Sequence, residues 1–347
     1  MKKSIKLGWI IAAALASTTP AHAASSTCDR TCLRGVGEAV IASITRNAPA
    51  DVPLADHYKA TENGVPAALS MMTIWRTATA ASHRFFAIDP TSGQLFLAVT
   101  LKEGRDHALL FGRLHVVDGK VDELELYVDR SRSDGGFVFD ATKLGDLPSA
   151  WTQPVDRSRL PGREALLQAG RAMFDTRVVS PPPATGCVLI ENGKTVAEDP
   201  EVLKAIMPPP APGAPPAPPP ALNADGTVSI PCGVPPDRPT DSQARTTILD
   251  EEQGVVVTFA TVEGAVSPYL ITTPTETAFV PDSFLPPYEA LLAKQRAADG
   301  GRKPQFIQTR ATVTVAQAHR IYDGKVQGMH LFEKLGPVGA RSPWVAP

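Results

Sequence analysis

The sequence predicts an α+β protein made of two tandem units, each a curved antiparallel sheet wrapped around N-terminal helices. Apolar residues recur at helical spacing near the start of each half, and β-rich runs follow them. A set of short motifs also occurs twice, in the same order, along the chain. The chain has 347 residues, more than one hydrophobic core usually holds, so two domains are expected.

The first 23 residues have the features of a secretory signal peptide. Three lysines flank the start of an apolar run over Leu7–Leu15, and an A-x-A cleavage site follows at Ala21–Ala23. The run is shorter than the roughly 20 residues that a membrane-spanning helix needs. We therefore expect a periplasmic or secreted protein with no membrane anchor after cleavage, a first unit over residues 24–150 and a second over 151–347.

The charge and the missing signatures exclude several classes of function. Removal of the signal peptide takes away three lysines and no acidic residue, so the formal charge changes from −2 to −5. A nucleic-acid partner is not expected, because the basic footprint of such proteins is absent. The sequence contains no P-loop, nucleophile elbow, H-E-x-x-H motif or complete G-x-G-x-x-G motif. We expect no cofactor.

The repeated motifs give the order of elements in each unit. A helix with the pattern L-x-x-x-G-x-A comes first, followed by E-N-G, R-x-x-x-x-D-x-x-x-G and D-G-K-V. The same order in both halves indicates an internal duplication. The first copies lie at Leu33–Ala39, Glu62–Gly64, Arg84–Gly93 and Asp118–Val121, and the second at Leu166–Ala172, Glu191–Gly193, Arg245–Gly254 and Asp323–Val326.

Between these motifs the pattern is typical of β-strands. Runs rich in Val, Leu and Phe in the first unit predict a four-stranded meander. Asp89–Gly93 and Asp118–Gly119 supply residues that favour the connecting turns. The predicted strands cover residues 82–88, 94–101, 107–117 and 120–128.

Two insertions explain the greater length of the second unit. Residues 207–221 are nearly all Pro and Ala, which predicts an extended polyproline stretch without a core of its own. The second insertion lies at about 267–304 and includes a possible short helix near 288–298. Both insertions are expected to be loops over a surface, and the second could be a lid.

The order of elements resembles the SnoaL-like branch of the nuclear transport factor 2-like superfamily. The motifs C-D-R-x-C-L, T-E-N-G, W-R-T at Trp75 and D-G-K-V are similar to those of a secreted two-copy family within it. The resemblance covers most of residues 28–130 and parts of 163–344. It implies two cone-shaped units, each with a pocket between sheet and helices. It says little about activity, because the superfamily includes isomerases, dehydratases, cyclases, lyases and non-enzymatic modules.

Four cysteines occur after the signal peptide. In an oxidising compartment an even number indicates disulfides. We prefer the pair Cys187 and Cys232, which would join the two flanks of the Pro-rich insertion. Cys28 and Cys32 could form a strained local bridge or remain free thiols. A zinc site is the rival, but neither pair has C-x-x-C spacing and no His is close, so no metal is expected.

Alternation along the third and fourth strands predicts a group of polar side chains on one sheet face. Arg113 and His115 share a face of one strand, and Glu125 and Tyr127 share a face of the next. In a pocket, Glu125 or His115 could act as the base, Tyr127 could donate to an oxyanion and Arg113 could hold an anionic substrate group. The alternative is a polar face that meets water.

Three further residues are candidates for substrate binding. Trp75 could form a stacking wall for a cyclic ligand, or it could be a core aromatic. Glu62 could be a carboxylate at the pocket mouth, although a strand-end residue that binds backbone or caps a helix is the better interpretation.

Arg84, the third candidate, could instead form a structural salt link with Asp89. Arg245 and Asp250 would form the same link in the second copy. Trp344 is expected to hold the end of the chain against the second sheet.

Two classes of function follow from these residues. The first is an exported small-molecule-binding protein, or a cofactor-free lyase, isomerase or dehydratase, acting by proton transfer on a partly apolar compound. The second is a non-catalytic tandem module whose units pack together or against a partner through their sheets. A protein partner and a homo-oligomer both remain open. The two classes differ in whether the first unit holds a pocket with a buried carboxylate, or is filled by Leu and Val along residues 120–128.

Overall fold

The structure is a computed structural model that describes residues 28–345, apart from 132–136, 199, 201–202, 204–221, 235–237, 242 and 271–272. The predicted signal peptide and the Pro-rich insertion at 207–221 lie outside the described residues. No helix in the described part of the chain is long and apolar enough to cross a membrane.

The first half of the chain forms a six-stranded sheet. Helix α1 precedes it, and the short helix α2 lies between its second and third strands. The strand order is β2-β1-β6-β5-β4-β3, and all neighbours are antiparallel except β1 and β6, which are parallel. The bounds are α1 Arg30–Thr45, β1 Leu54–Glu62, β2 Val65–Pro66, α2 Ile74–Thr77, β3 Ala80–Asp89, β4 Gln94–Glu103, β5 Asp106–Val117 and β6 Lys120–Asp129.

The second half forms a sheet with the order β11-β12-β14-β15-β7-β8, and β13 pairs with the outer part of β12. Here β7 is parallel to β15. Two short connecting helices, α3 Ser149–Thr152 and α4 Arg163–Ala172, come before it. Its strands are β7 Leu189–Glu191, β8 Lys194–Thr195, β11 Arg245–Asp250, β12 Val255–Leu270, β13 Thr273–Pro281, β14 Thr309–Tyr322 and β15 Lys325–Gly336, and β9 Ala197–Glu198 pairs separately with β10 Val228–Ser229.

The fold is therefore α+β, as predicted, but both sheets are mixed and not purely antiparallel. The insertion at about 267–304 also differs from the expected surface loop. Its first part extends β12 and adds β13, and its second part contains helix α5, Leu285–Ala298. A strand pair this long satisfies its backbone groups within the sheet, which a bare loop could not do.

Helix α1 lies on one face of the first sheet. Asp29 accepts a hydrogen bond from the Cys32 amide at 2.8 Å and so caps its N-terminus. The apolar side of the helix, including Leu33, Val40 and Ile44, packs against the sheet and is fully buried. Helix α4 covers one face of the second sheet in a similar way, through a separate apolar cluster.

The repeated glycine of the helix motif allows each helix to approach its sheet closely. A Cβ atom at Gly37 would lie 2.5 Å from Leu95, and one at Gly170 would lie 2.5 Å from Thr246. Such distances are too short for real carbon contacts. The two glycines therefore have the same packing role in the two halves.

The two sheets pack against each other through the faces that the helices leave free. Their shared core contains Phe96 and Phe111 of the first sheet and Phe259 and Phe332 of the second. The rings of Phe96 and Phe332 lie 5.2 Å apart, and those of Phe111 and Phe332 lie 5.7 Å apart. The molecule thus has four layers in the order helix, sheet, sheet, helix.

Candidate functional site

The polar group predicted on β5 and β6 lies in the junction between the two sheets. Arg113, Glu125 and Tyr127 project from the face opposite helix α1, and all three are buried. The predicted grouping of these side chains is therefore present, but on the face that meets the second sheet. The face under α1 carries Leu124 and Leu126 instead, both fully buried.

Glu125 is the centre of this group and is completely buried. Arg113 donates from Nε to its carboxylate at 2.8 Å, and the Tyr127 hydroxyl donates to it at 2.9 Å. Arg245 of β11 reaches across from the second sheet and donates to it at 2.9 and 3.2 Å. With two arginines and a phenol bound, the carboxylate has no side open to a substrate.

Arg113 has further partners that hold its guanidinium in place. It donates from Nη1 to Glu123 at 2.6 Å and to Gln94 at 3.4 Å. A buried guanidinium with two carboxylates is charge-compensated. Two of its three nitrogens thus already donate to protein carboxylates.

The predicted salt links between Arg84 and Asp89 and between Arg245 and Asp250 are wrong. Arg84 lies 3.2 Å from Glu38 of helix α1, and Arg245 binds Glu125. Arg84 precedes Asp89 by five residues of a regular strand, so these two side chains point to opposite faces. Arg245 and Asp250 lie on either side of a register shift in β11, so simple alternation does not relate their side chains.

Asp89 and Asp250 bind arginines of the opposite half of the chain. Arg30, at the start of α1, donates to Asp250 with two nitrogens at 2.8 and 2.9 Å. Arg163, at the start of α4, donates to Asp89 at 2.8 and 2.9 Å. Both carboxylates are buried, and these forked pairs are among the strongest ionic contacts in proteins.

Each of these aspartates also accepts a backbone hydrogen bond from the other half. The Ile88 amide donates to Asp250 at 2.8 Å, and the Leu249 amide donates to Asp89 at 3.4 Å. These amides belong to the edge strands β3 and β11, so the aspartates satisfy edge groups that would otherwise need water. The pairs were not predicted, although Arg30 and Arg163 both stand three residues before the leucine of the helix motif.

Burial raises the pKa of the Tyr127 hydroxyl well above its usual range, and the negative charge of Glu125 raises it further. The phenol is therefore neutral at ordinary pH and donates its proton in the hydrogen bond to Glu125. Its ring stacks on Phe111 at 5.3 Å between centroids. Tyr127 acts here as a donor to a protein carboxylate, in the position where an oxyanion was expected.

His115 does not join the Glu125 group. Its Nδ1 lies 2.7 Å from Asp122 Oδ1, and about a third of each side chain is exposed. Position 115 pairs with Glu123 across the strands, two pairs closer to the D-G-K-V turn than Arg113 and Glu125. The structure therefore separates the two groups that were predicted as alternative bases.

Glu62 caps a helix. Its two carboxylate oxygens accept hydrogen bonds from the amides of Thr73 and Ile74, at 2.8 and 2.9 Å, where α2 begins. Its counterpart Glu191 accepts from the Val138 amide at 2.6 Å. These contacts match the structural interpretation of the E-N-G motif.

Trp75 lies in the core below α1. Its side chain is 2% exposed, and its indole N–H donates to the Ser43 hydroxyl at 3.0 Å. The indole thus has both an apolar environment and a satisfied donor, as buried tryptophans usually do.

The cavities near the predicted site are small. The void beside Arg245, bordered also by Phe259, Thr314 and Ser342, has a volume of about 10 Å³. That is about the space of one water molecule. A larger open groove of about 620 Å³ lies beside Glu103 and Arg130, and none of the predicted site residues lines it.

The second sheet has a histidine, His330, at the position that Glu125 has in the first. His330 pairs with Ala318 across β15 and β14, as Glu125 pairs with Arg113 across β6 and β5. Its Nε2 accepts a hydrogen bond from the Gly193 amide at 3.1 Å. Burial lowers the pKa of His330, and likewise that of His319, to about 3. Both imidazoles are therefore neutral at ordinary pH.

The four cysteines form two disulfides, Cys187–Cys232 and Cys28–Cys32. The first is the pairing preferred from the sequence, and the second was one of two possibilities left open. Among the described residues, no three His, Cys, Asp or Glu side chains are grouped so that they could hold a metal ion.

The solved structures described below are distant likenesses of this chain. No family model and no curated protein matches the chain. A de novo designed protein with a curved β-sheet is similar at 16% identity and a TM-score of 0.26, over 29% of this chain and 88% of that chain.

Two natural structures are similar at the same level. A ketosteroid isomerase-like chain from Kribbella flavida has 13% identity and a TM-score of 0.25, over 29% of this chain and 80% of that one. A DUF4783 family protein from Bacteroides ovatus has 12% identity and a TM-score of 0.21, over 27% of this chain and 93% of that one. TM-scores this low carry no argument about function.

Proposed function

We propose that this protein is a non-catalytic binding or assembly module in which two related, SnoaL-like units pack together through their sheets. The observation that carries the proposal is the burial of Glu125 and Tyr127, two of the three predicted catalytic residues, in the junction between the sheets. Glu125, the predicted base, is fully buried there and bound by both halves of the chain.

The repeated topology supports the relation between the units. Without β13, the second sheet read as β8-β7-β15-β14-β12-β11 has the same strand order as β2-β1-β6-β5-β4-β3 of the first. The parallel pair β7 and β15 corresponds to the parallel pair β1 and β6. Asn63 and Asn192 both have positive φ and accept a hydrogen bond from the adjacent last strand. Asp118 and Asp323 both have positive φ in the equivalent turn.

The ion pairs between the halves support a pseudo-two-fold relation. Arg30 and Arg163 are equivalent in the helix motif, and Asp89 and Asp250 are equivalent in the strand motif. Arg30 binds Asp250 while Arg163 binds Asp89. In an isologous interface, residue i contacts j and j contacts i, which is the relation of these four residues. The chain thus has the arrangement of a homodimer whose two copies are joined.

An exported location is part of the proposal. The two disulfides fit an oxidising compartment such as the periplasm or the outside of the cell. The signal peptide remains a prediction from the first 23 residues. In such a compartment, the disulfide Cys187–Cys232 would hold the base of the 45-residue excursion between its cysteines.

A thermal-shift screen of the mature protein tests the absence of a small-molecule site between the sheets. Small aromatic and terpenoid compounds are the probes, because they match the partly apolar ligands predicted for a SnoaL-like pocket. A ligand that binds the native state raises the melting temperature. At a ligand concentration of a hundred times its Kd, the free energy of unfolding increases by about 2.7 kcal/mol. We expect that no compound raises the melting temperature by binding at Glu125 and its partners.

The matched control is the variant Tyr127→Phe, which removes one donor to Glu125 and keeps the ring stacked on Phe111. A compound that stabilises the native chain but not this variant would show that the group binds ligands, and the module proposal would then be abandoned.

A further inference from the structure

Trp344 lies on the first sheet, and not on the second as predicted. Lys59 Nζ lies 4.2 Å and Arg113 Cζ lies 4.7 Å from the centroid of the Trp344 ring, both over the ring. The indole N–H donates to the Thr61 hydroxyl at 3.0 Å. The tryptophan therefore has two cation–π contacts and a satisfied donor.

The two residues before Trp344 also have specific partners. The Lys59 ammonium donates to the carbonyl of Pro343, and Arg245 donates to the Ser342 hydroxyl at 3.3 Å. Three consecutive residues, a serine, a proline and a tryptophan, are thus all bound by polar side chains, and Lys59 contacts two of them. We call Lys59, Thr61, Arg113 and Arg245 the tail slot.

Most of the tail slot is held in place by contacts other than the tail. Arg113 and Arg245 are both fixed by Glu125, and Thr61 is fully buried within β1. Lys59 differs, because its contacts in the described part of the chain are with Pro343 and Trp344. A set of donors that other contacts already hold in place suits a binding site, since little order is lost on binding.

A second tryptophan, Trp151, is more deeply buried than Trp344. Trp151, which follows the first unit, packs on the second sheet and is 4% exposed. Its ring lies against Gly328 and 5.5 Å from the ring of Phe85. Trp344 is only half-buried and has no aromatic neighbour among the described rings. The tail contact is therefore the more easily separated of the two.

We propose that the tail slot is a peptide-recognition site for a Ser-Pro-Trp segment, that residues 342–344 are its resident ligand, and that the same segment of a second copy of this chain binds there when the resident one is released. The fixed φ of proline keeps the serine and the tryptophan at one spacing, so the three contacts form together. This site stands on its own contacts and does not require the two units to be related.

Fluorescence anisotropy of a labelled peptide with the sequence of residues 338–345 tests the site. The receptor is the chain shortened to end at Arg341, which leaves the slot open. The shortened chain is expected to bind the peptide at least ten times more tightly than the full chain, whose slot is occupied. A peptide with alanine in place of the tryptophan is expected not to bind.

Two lysine variants of the shortened chain separate the slot from general charge attraction. Lys59→Ala is expected to weaken peptide binding at least ten-fold. Lys120→Ala removes an exposed lysine of the same sheet, which has a weak ion pair with Asp56 at 3.7 Å, and is expected to change nothing. Equal binding by both variants, or no binding by the folded shortened chain, overturns the proposal.

If the shortened chain does not give a cooperative unfolding transition, the full chain with Trp344→Ala serves as the receptor and the same results are required. Exchange between copies is tested by mixing Lys59→Ala full chain, which has a tail and a weakened slot, with the receptor that has an open slot. Light scattering is expected to show a complex of the two that neither forms alone. A mixture that scatters as the sum of its parts overturns the second-copy part of the proposal.

Discussion

At the scale of the residue, the contacts of Glu125 show that it has a structural role in the junction between the sheets. A carboxylate in a pocket needs a free lone pair and a nearby substrate position to act as a base. Glu125 has instead three donors from two sheets and no exposed atom. Such a group fixes the relative position of the sheets, and its removal leaves two guanidinium groups without their main partner.

Replacement of Glu125 by Gln is expected to lower the free energy of unfolding by about 3 kcal/mol, because it leaves buried positive charge uncompensated. Urea denaturation of the purified variant measures this loss. Glu123→Gln removes a carboxylate that also binds Arg113 but is 37% exposed at the side chain, and it should cost less than about 1 kcal/mol. Losses of equal size for both variants would contradict the central role of Glu125.

His330 gives a prediction on pH. Its pKa is lowered by burial to about 3 in the folded chain, from an ordinary value of 6.5. Between these two pH values the unfolded state binds a proton that the folded state does not, so stability falls as the pH falls.

When the pH is lowered from 7 to 5, the free energy of unfolding of the His330→Gln variant is expected to fall by about 2 kcal/mol less than that of the native chain. Glutamine keeps an acceptor for the Gly193 amide. Identical pH profiles for the native chain and His330→Gln would show that this histidine is not buried as a neutral group.

At the scale of the element, the helix motif has a direct packing reason. Gly37 faces Leu95 and Phe86 on the sheet, whereas Gly35 of the same helix has open space around its Cα. Equivalent packing at Gly170 shows why the glycine occurs in both halves. The glycine of the motif thus allows each helix to lie close to its sheet.

Gly37→Ala is expected to destabilise the protein by about 1–3 kcal/mol, since the new methyl group forces the helix away from Leu95. Gly35→Ala in the same helix should instead add about 0.5–1 kcal/mol, because alanine loses less backbone entropy on folding. Thermal and urea denaturation of the two variants check these values. A Gly37→Ala variant as stable as Gly35→Ala would mean that α1 does not approach the sheet this closely.

The elements themselves were largely predictable from sequence, but the buried faces were not. Turn residues such as Asp118 and Gly119 and runs rich in Val, Leu and Phe predicted strands close to β3–β6. Alternation on β6 separates Leu124 and Leu126 from Glu125 and Tyr127, but it does not say which face meets a pocket. Both faces are buried here, so the polar face had no water to meet.

Contacts between distant parts of the chain were the least predictable. The pair Arg30 and Asp250 is separated by 220 residues, and no local pattern connects them. The only available signal was the repeat: an arginine at the same position of two helices and an aspartate at the same position of two strands. These repeated positions predict a contact only if it is already known that the two units pack against each other.

At the scale of the whole molecule, the two sheets share one aromatic core and two forked ion pairs. The helices lie on the outside, so each unit has one face for its own helix and one for the other sheet. The tail at Trp344 then closes the edge of the junction beside Arg113 and Arg245. Under the proposed function, surfaces other than this junction bind the partners of the module.

Two double-mutant cycles test the proposed pseudo-two-fold module most directly. One cycle combines Arg30→Ala with Asp250→Ala, and the other combines Arg163→Ala with Asp89→Ala, with urea denaturation as the measurement. The account predicts coupling energies of about 1.5–3 kcal/mol in both cycles, similar to each other, because the two pairs are equivalent and partly buried. A coupling energy near zero in either cycle would contradict it.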